Sequence, residues 1–123
     1  QALLFLHGAG GNAGHWRRAL GLLRARHSAV ALDWPGHGRS GSTEGLGSIE
    51  AYADFTAAFA RAASLPPAVV VGSCMGASVA LELAIAQPAS VRALVLVNAA
   101  ARLHFPAAAV DVWREVTYGR APQ

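Results

Sequence analysis

One cysteine occurs among the 123 residues, and it sits where a nucleophile would need to sit. Cys74 is the centre of Gly72-Ser73-Cys74-Met75-Gly76, after the apolar run Ala68–Val71 and before a run of small helix-formers. A sharp strand-to-helix turn holds its central residue in strained backbone and lifts that side chain toward solvent. Residues two positions to either side must be small, or their Cβ atoms would collide across the turn. Gly72 and Gly76 meet this need, whereas Ser73 has Val71 and Met75 at the same offsets, so the pattern assigns the nucleophile to Cys74. The following helix turns its positive end toward the sulfur, which favours thiolate. The Met75 N–H points into the same space as an oxyanion donor, a contact worth about 2.7–4 kcal/mol in other enzymes.

A second donor is expected from a neighbouring strand end. His7-Gly8-Ala9-Gly10-Gly11 follows the apolar run Ala2–Leu6, and its glycines let the backbone fold closely around a site. Ala9 is the candidate N–H, with His7, Gly8 and Gly10 as its support. A third loop, Asp33 to Ser40, reads Asp-Trp-Pro-Gly-His-Gly-Arg-Ser. There Asp33 is expected to hold the loop by hydrogen bonds, with Gly36, His37 and Gly38 shaping it.

These loops need strands and helices to place them. Four continuous apolar runs read as strands covered on both faces: Ala2–Leu6, Ser28–Asp33, Ala68–Val71 and Arg92–Asn98. Helical spacing joins Trp16, Ala19, Leu20 and Leu23 behind a cap at Asn12. It also joins Ile49, Tyr52, Thr56, Phe59 and Ala63 behind Ser48. A third helix runs from the Cys74 turn to Pro88, and a fourth from about Pro106 to Tyr118. Alternating strands and helices imply an α/β fold with a parallel sheet and right-handed crossovers. Ligands bind such sheets beyond the carboxyl ends of the strands, where all three unusual loops fall.

With those three motifs in order, the chain resembles the α/β-hydrolase superfamily, in its esterase, C–C hydrolase and haloperoxidase-like branch. The resemblance covers essentially the whole chain. It implies a three-layer α/β/α fold with a mostly parallel sheet, four strands in spatial order 2-1-3-4, matching the family's third to sixth strands. It further implies an incomplete domain over residues 1–123, with a lid beginning from about residue 102. The expected activity is hydrolysis of an ester, thioester or lactone carbonyl, with a small-molecule acyl substrate and no cofactor. Three residues depart from the family pattern. Cys74 replaces the usual Ser, as in dienelactone hydrolase and some thioesterase-like members; Ser73 replaces a common His, and Ala77 a common Gly. The family's acid and catalytic His follow later strands, and nothing here matches them. His104 is the least implausible local substitute. His7 and His37 read as loop-orienting, and His15 and His27 as structural or solvated. Asp111 and Glu115 fall on an exposed helix, and Trp16, Trp34 and Trp113 read as core or pocket wall.

Composition narrows the classes further. The chain is 54% hydrophobic and 14% charged with a net charge of +3, and all ten basic residues are Arg. The absence of Lys excludes a Walker-type phosphate loop and Schiff-base chemistry within these residues. The Arg residues form no dense patch with interleaved aromatics, so no nucleic-acid partner is expected. Arg17, Arg18, Arg24 and Arg26 read as a solvated helix face. No apolar run is long enough to span a membrane, no metal-ligand spacing appears, and a single Cys fits a reducing, cytoplasmic setting. Oligomeric state is not readable. Two other classes stay open. Gly8 to Ala13 also fits Gly-x-Gly-x-x-Ala, with Asp33 as the ribose acid of a dinucleotide-binding unit. A non-catalytic half-domain with an open sheet edge is the other.

Overall fold

The computed structural model describes residues 1–42, 44–100 and 106–118. Its elements run β1 (Ala2–Leu6), α1 (Arg17–Leu23), β2 (Ser28–Ala31), α2 (Ile49–Ala62), β3 (Ala68–Ser73), α3 (Met75–Ala86), β4 (Val91–Val97) and α4 (Ala107–Tyr118). Short 3-10 turns at Ala13–Trp16 and Pro88–Ser90 lead into α1 and β4. The sheet is parallel throughout, in the order β2-β1-β3-β4. This is the α/β arrangement and strand order that the motifs imply.

Local chemistry accounts for the helix starts. Asn12 Oδ1 accepts the Gly14 N–H at 2.8 Å, opening the turn ahead of α1. Ser48 Oγ accepts the Ala51 N–H at 3.1 Å, and α2 then buries Tyr52, Ala53, Thr56 and Ala57 at i, i+4 spacing. Helix α3 buries Gly76, Ala77, Val79, Ala80 and Leu83, and its small residues let it lie close against β1 and β3. Each large apolar side chain so enclosed contributes about 1.5–3 kcal/mol relative to exposure. The core gathers Leu4, Leu6, Trp34, Val70, Val79 and Leu83 around β1, every residue of which is buried.

Burial corrects one expectation. Only β1 is enclosed along its length; β3 alternates, and β4 is largely exposed, with Val95 at 47% and Val97 at 42%. The cause is position: β4 is an edge strand, so a continuous apolar run there does not mean two covered faces among the described residues. Strand ends also move. β2 stops at Ala31, leaving Leu32 and Asp33 in the following loop, while β3 runs on through Gly72 and Ser73 by pairing with Leu96 and Val97. Among the described residues, no helix is long and apolar enough to cross a membrane.

Candidate active site

Cys74 is held at φ 52°, ψ −118°, outside the regions open to an ordinary L-residue, and its side chain is exposed. Two glycines permit this. A Cβ on Gly72 would stand 2.6 Å from the Ala77 nitrogen and closer still to the Gly76 carbonyl oxygen. A Cβ on Gly76 would stand 2.7 Å from the His7 carbonyl oxygen and closer to that of Leu6. The elbow is thus wedged between its own helix and the end of β1. The Cys74 N–H donates to the Val97 carbonyl at 3.0 Å, tying the turn to the end of β4. The Cys74 carbonyl accepts the Ala77 N–H at 2.9 Å.

The loop after β1 abuts the sulfur. A Cβ on Gly8 would lie 3.2 Å from Cys74 Cβ and 3.9 Å from Sγ. The Gly11 N–H donates to the Gly8 carbonyl at 3.0 Å, and Gly10 has φ 70°, so Gly8 to Gly11 form a type II turn with Ala9 at its second position. Among the described residues, the Ala9 and Met75 N–H groups donate no turn, loop or cap hydrogen bond. The nearest polar side-chain atom bonded to Sγ is Ser73 Oγ at 4.0 Å, and no described histidine hydrogen-bonds to it. His104 lies outside the described residues, as do the Trp113 and Glu115 side chains; Asp111 is exposed.

The third loop is held from Asp33. Its carboxylate accepts the Ala13 N–H at 2.6 Å and the Arg39 N–H at 3.0 Å, while its carbonyl accepts the Ser40 hydroxyl. Burial alone would raise this carboxyl, but the Arg39 and Ala13 N–H groups outweigh it and hold it below its ordinary 3.8. Gly36 at φ 78° and Gly38 at φ 53° supply the left-handed backbone, and Gly38 packs directly on the carboxylate. Each carboxylate oxygen therefore accepts one backbone N–H within the loop region.

His7 and His37 join the first and third loops. The His7 ring is fully buried, 4.7 Å from the Trp34 ring centroid and 5.2 Å from that of His37. His37 Nδ1 faces the Pro35 carbonyl at 3.1 Å. Burial lowers the His7 pKa, the Gly8 carbonyl opposes this, and the His37 ring adds to the lowering. Below them, Trp34 Nε1 donates to Thr56 Oγ1 at 3.3 Å, and Thr56 donates to the Tyr52 carbonyl at 2.7 Å.

Two features escape a reading of the sequence. Asn98 follows β4 with φ 52°, and the preceding Val97 carbonyl anchors the elbow. An Asn at a strand end was the available signal, since Asn tolerates that backbone. Arg17, Arg24 and Arg39 line an open groove of about 510 Å³ beside β2, which includes no elbow residue. Arg17 and Arg24 belong to α1 and Arg39 to the Asp33 loop, so linear order hides the grouping. Among the described residues, no group of three or more His, Cys, Asp or Glu is placed to hold a metal ion.

The model of the family described as "alpha/beta hydrolase fold" matches residues 1–122. An Azorhizobium caulinodans protein named "Putative carbamate hydrolase RutD" is 41% identical over 100 residues, covering 81% of this chain and 38% of that protein. Among solved structures, Est816, titled an N-acyl homoserine lactone degrading enzyme, has TM-score 0.71 at 28% identity, over 77% of this chain and 37% of that one. A hydrolase from Pseudomonas aeruginosa PA01 has TM-score 0.81 at 25% identity, over 94% and 43%. The chain spans less than half the length of each of these relatives.

Proposed function

The chain belongs to the α/β-hydrolase family, and from that premise we propose that it carries the nucleophile and oxyanion donors of a hydrolase acting on an ester, thioester or lactone-type carbonyl. The Cys74 thiolate attacks the carbonyl carbon; a C–S bond forms and the carbonyl π electrons move to oxygen. The N–H groups of Met75 and Ala9 receive that oxyanion. Its collapse breaks the bond to the alcohol or thiol leaving group, which takes up a proton. Water then adds to the acyl-cysteine, and the Cys74 thiolate departs as the acid product is released. A single acid–base group from beyond the 123 residues gives the leaving group its proton and, so deprotonated, takes one from the attacking water. The longer relatives support this division.

The observation that carries the reading is the backbone of Cys74. An exposed cysteine at φ 52°, with a glycine that admits no Cβ two positions to either side, is strain retained at the one cysteine in the chain. The lactone named for Est816 and the carbamate named for the RutD relative support a carbonyl substrate. Incubation with p-nitrophenyl acetate tests the proposal by intact mass. The expected result is one acetyl group added at Cys74, located by peptide mapping and lost in Cys74→Ala. Equal acetylation of the Cys74→Ala variant would remove the assigned nucleophile.

A further inference from the structure

Side chains of consecutive residues in a strand point to opposite faces and stay apart. The end of β3 departs from that rule. The backbone turns at Cys74, φ 52°, and Sγ comes to lie 4.0 Å from Oγ of Ser73. Both residues are pinned from β4: Ser73 pairs with Val97, and the Cys74 N–H donates to the Val97 carbonyl at 3.0 Å. Ser73 is half-buried and Cys74 exposed, so both reach the surface beyond the strand ends. Among the described residues, Sγ is the one hydrogen-bond partner of the Ser73 hydroxyl. The hydrolytic steps at Cys74 leave that hydroxyl unused.

We propose that Ser73 is a second acyl site, which accepts the acyl group from the Cys74 thioester and so frees the sulfur. The Ser73 oxygen attacks the thioester carbonyl carbon. A C–O bond forms, the C–S bond breaks, and the hydroxyl proton passes to the departing sulfur. The products are an O-acyl serine and a cysteine thiol, and nothing is oxidised or reduced. The acyl group is that of the ester, thioester or lactone already taken up. Its carbonyl carbon is one bond from Sγ, so an oxygen 4.0 Å from Sγ needs only bond rotations to reach the about 3–3.5 Å of a near-attack pair. The hydroxyl already donates toward the atom that must take its proton. An oxygen ester is better stabilised by resonance than a thioester, so the transfer runs downhill. This inference rests on Cys74 as nucleophile, and the transfer competes there with the attack of water.

Two reagents locate the acyl group on the intact chain after brief exposure to p-nitrophenyl acetate. Neutral hydroxylamine strips a thioester and spares an oxygen ester, and iodoacetamide alkylates the sulfur only when it is free. The acetyl is expected to be hydroxylamine-labile at first and resistant on standing. The resistant chain then takes up one carbamidomethyl group at Cys74 while keeping its acetyl. The sequence contains no Lys, so a resistant acetyl lies on a hydroxyl or on the terminal amine, and peptide mapping is expected to place it on Ser73. Ser73→Ala keeps the acetyl on Cys74, labile throughout. Cys74→Ala gains no acetyl at Ser73. In chain acetylated briefly and moved into urea, where the turn is lost, the transfer slows at least roughly 10-fold.

An acetyl that stays labile on wild-type Cys74, or is lost to water before any becomes resistant, overturns the transfer and leaves the nucleophile reading standing. That measurement needs no variant, so the proposal stays testable if Ser73→Ala does not fold. Acetyl gathering on Ser73 of Cys74→Ala at the wild-type rate also overturns it, since the acyl group would not have passed through sulfur. So does equal transfer in urea, because adjacency in the chain, and not the folded turn, would then carry the step. A wild-type protein that never gains an acetyl on Cys74 rejects the nucleophile reading itself, and this inference with it.

Discussion

One substitution, Gly→Ala, should have opposite consequences at three positions of this chain. At Gly76 the added methyl meets the His7 carbonyl oxygen at 2.7 Å and that of Leu6 closer still, so it strikes backbone on β1, the most buried strand. Backbone there cannot swing aside as a side-chain tip can. Overpacking of a filled interior costs about 1–3 kcal/mol, and contact with main chain puts Gly76→Ala at about 3 kcal/mol or more. At Gly47, φ is 82° and nothing lies within 4 Å of the new Cβ, which leaves only the conformational cost, about 1–2 kcal/mol. At Gly21, within α1, nothing lies within 4 Å and the backbone is helical. There alanine should stabilise by about 0.5–1 kcal/mol, through helix propensity and a less flexible unfolded chain. Urea unfolding of the three variants gives the order Gly21→Ala above wild type, then Gly47→Ala, then Gly76→Ala. A Gly76→Ala variant within about 0.5 kcal/mol of wild type, the range of an ordinary surface change, would refute the wedged elbow.

Further outcomes follow from the same geometry. Glycine at position 74 tolerates φ 52° and alanine does not, so Cys74→Gly should be about 1 kcal/mol more stable than Cys74→Ala, the reverse of their order in a helix; thermal unfolding compares them. Thr56→Val leaves the buried Trp34 Nε1 without its acceptor and should cost about 1–3 kcal/mol by denaturant titration. Burial lowers the His7 pKa from 6.5, so folding favours the neutral ring. That stability is complete above 6.5 and is lost as pH falls through the lowered value, with the His37 ring adding to the loss and the Asp33 carboxylate opposing it. Asp33 is depressed from 3.8, and its contribution is complete above that value and disappears only in stronger acid. Unfolding midpoints followed from neutral pH downward should therefore show the His7 loss first, and His7→Phe should flatten that part of the curve.

The strand-turn-helix around Cys74 was legible in sequence because its rule is steric and local. Two glycines two positions away, a preceding apolar run and a following helix all lie within one short stretch, and φ 52° at Cys74 is what such a stretch requires. β1 was equally legible as a strand, an unbroken run of five apolar residues, all of which the fold buries. The caps at Asn12 and Ser48 belong to the same group, each bonding to a residue two or three positions on.

What the tertiary structure alone decided joins residues far apart in the chain. The apolar run of β4 invites the same reading as that of β1, yet among the described residues β4 is at the sheet edge and exposes Val95 and Val97, a difference set by neighbours and not by composition. The bond from Cys74 to the Val97 carbonyl, the grouping of Arg17 and Arg24 with Arg39, and the stacking of His7 on Trp34 and His37 depend on how strands and loops are brought together. Backbone sterics act within a few residues, so sequence could determine the strained elbow at Cys74. The buried His7 ring beside the loop after β1 packs on His37, 30 residues away in the chain, and only the folded chain brings the two together.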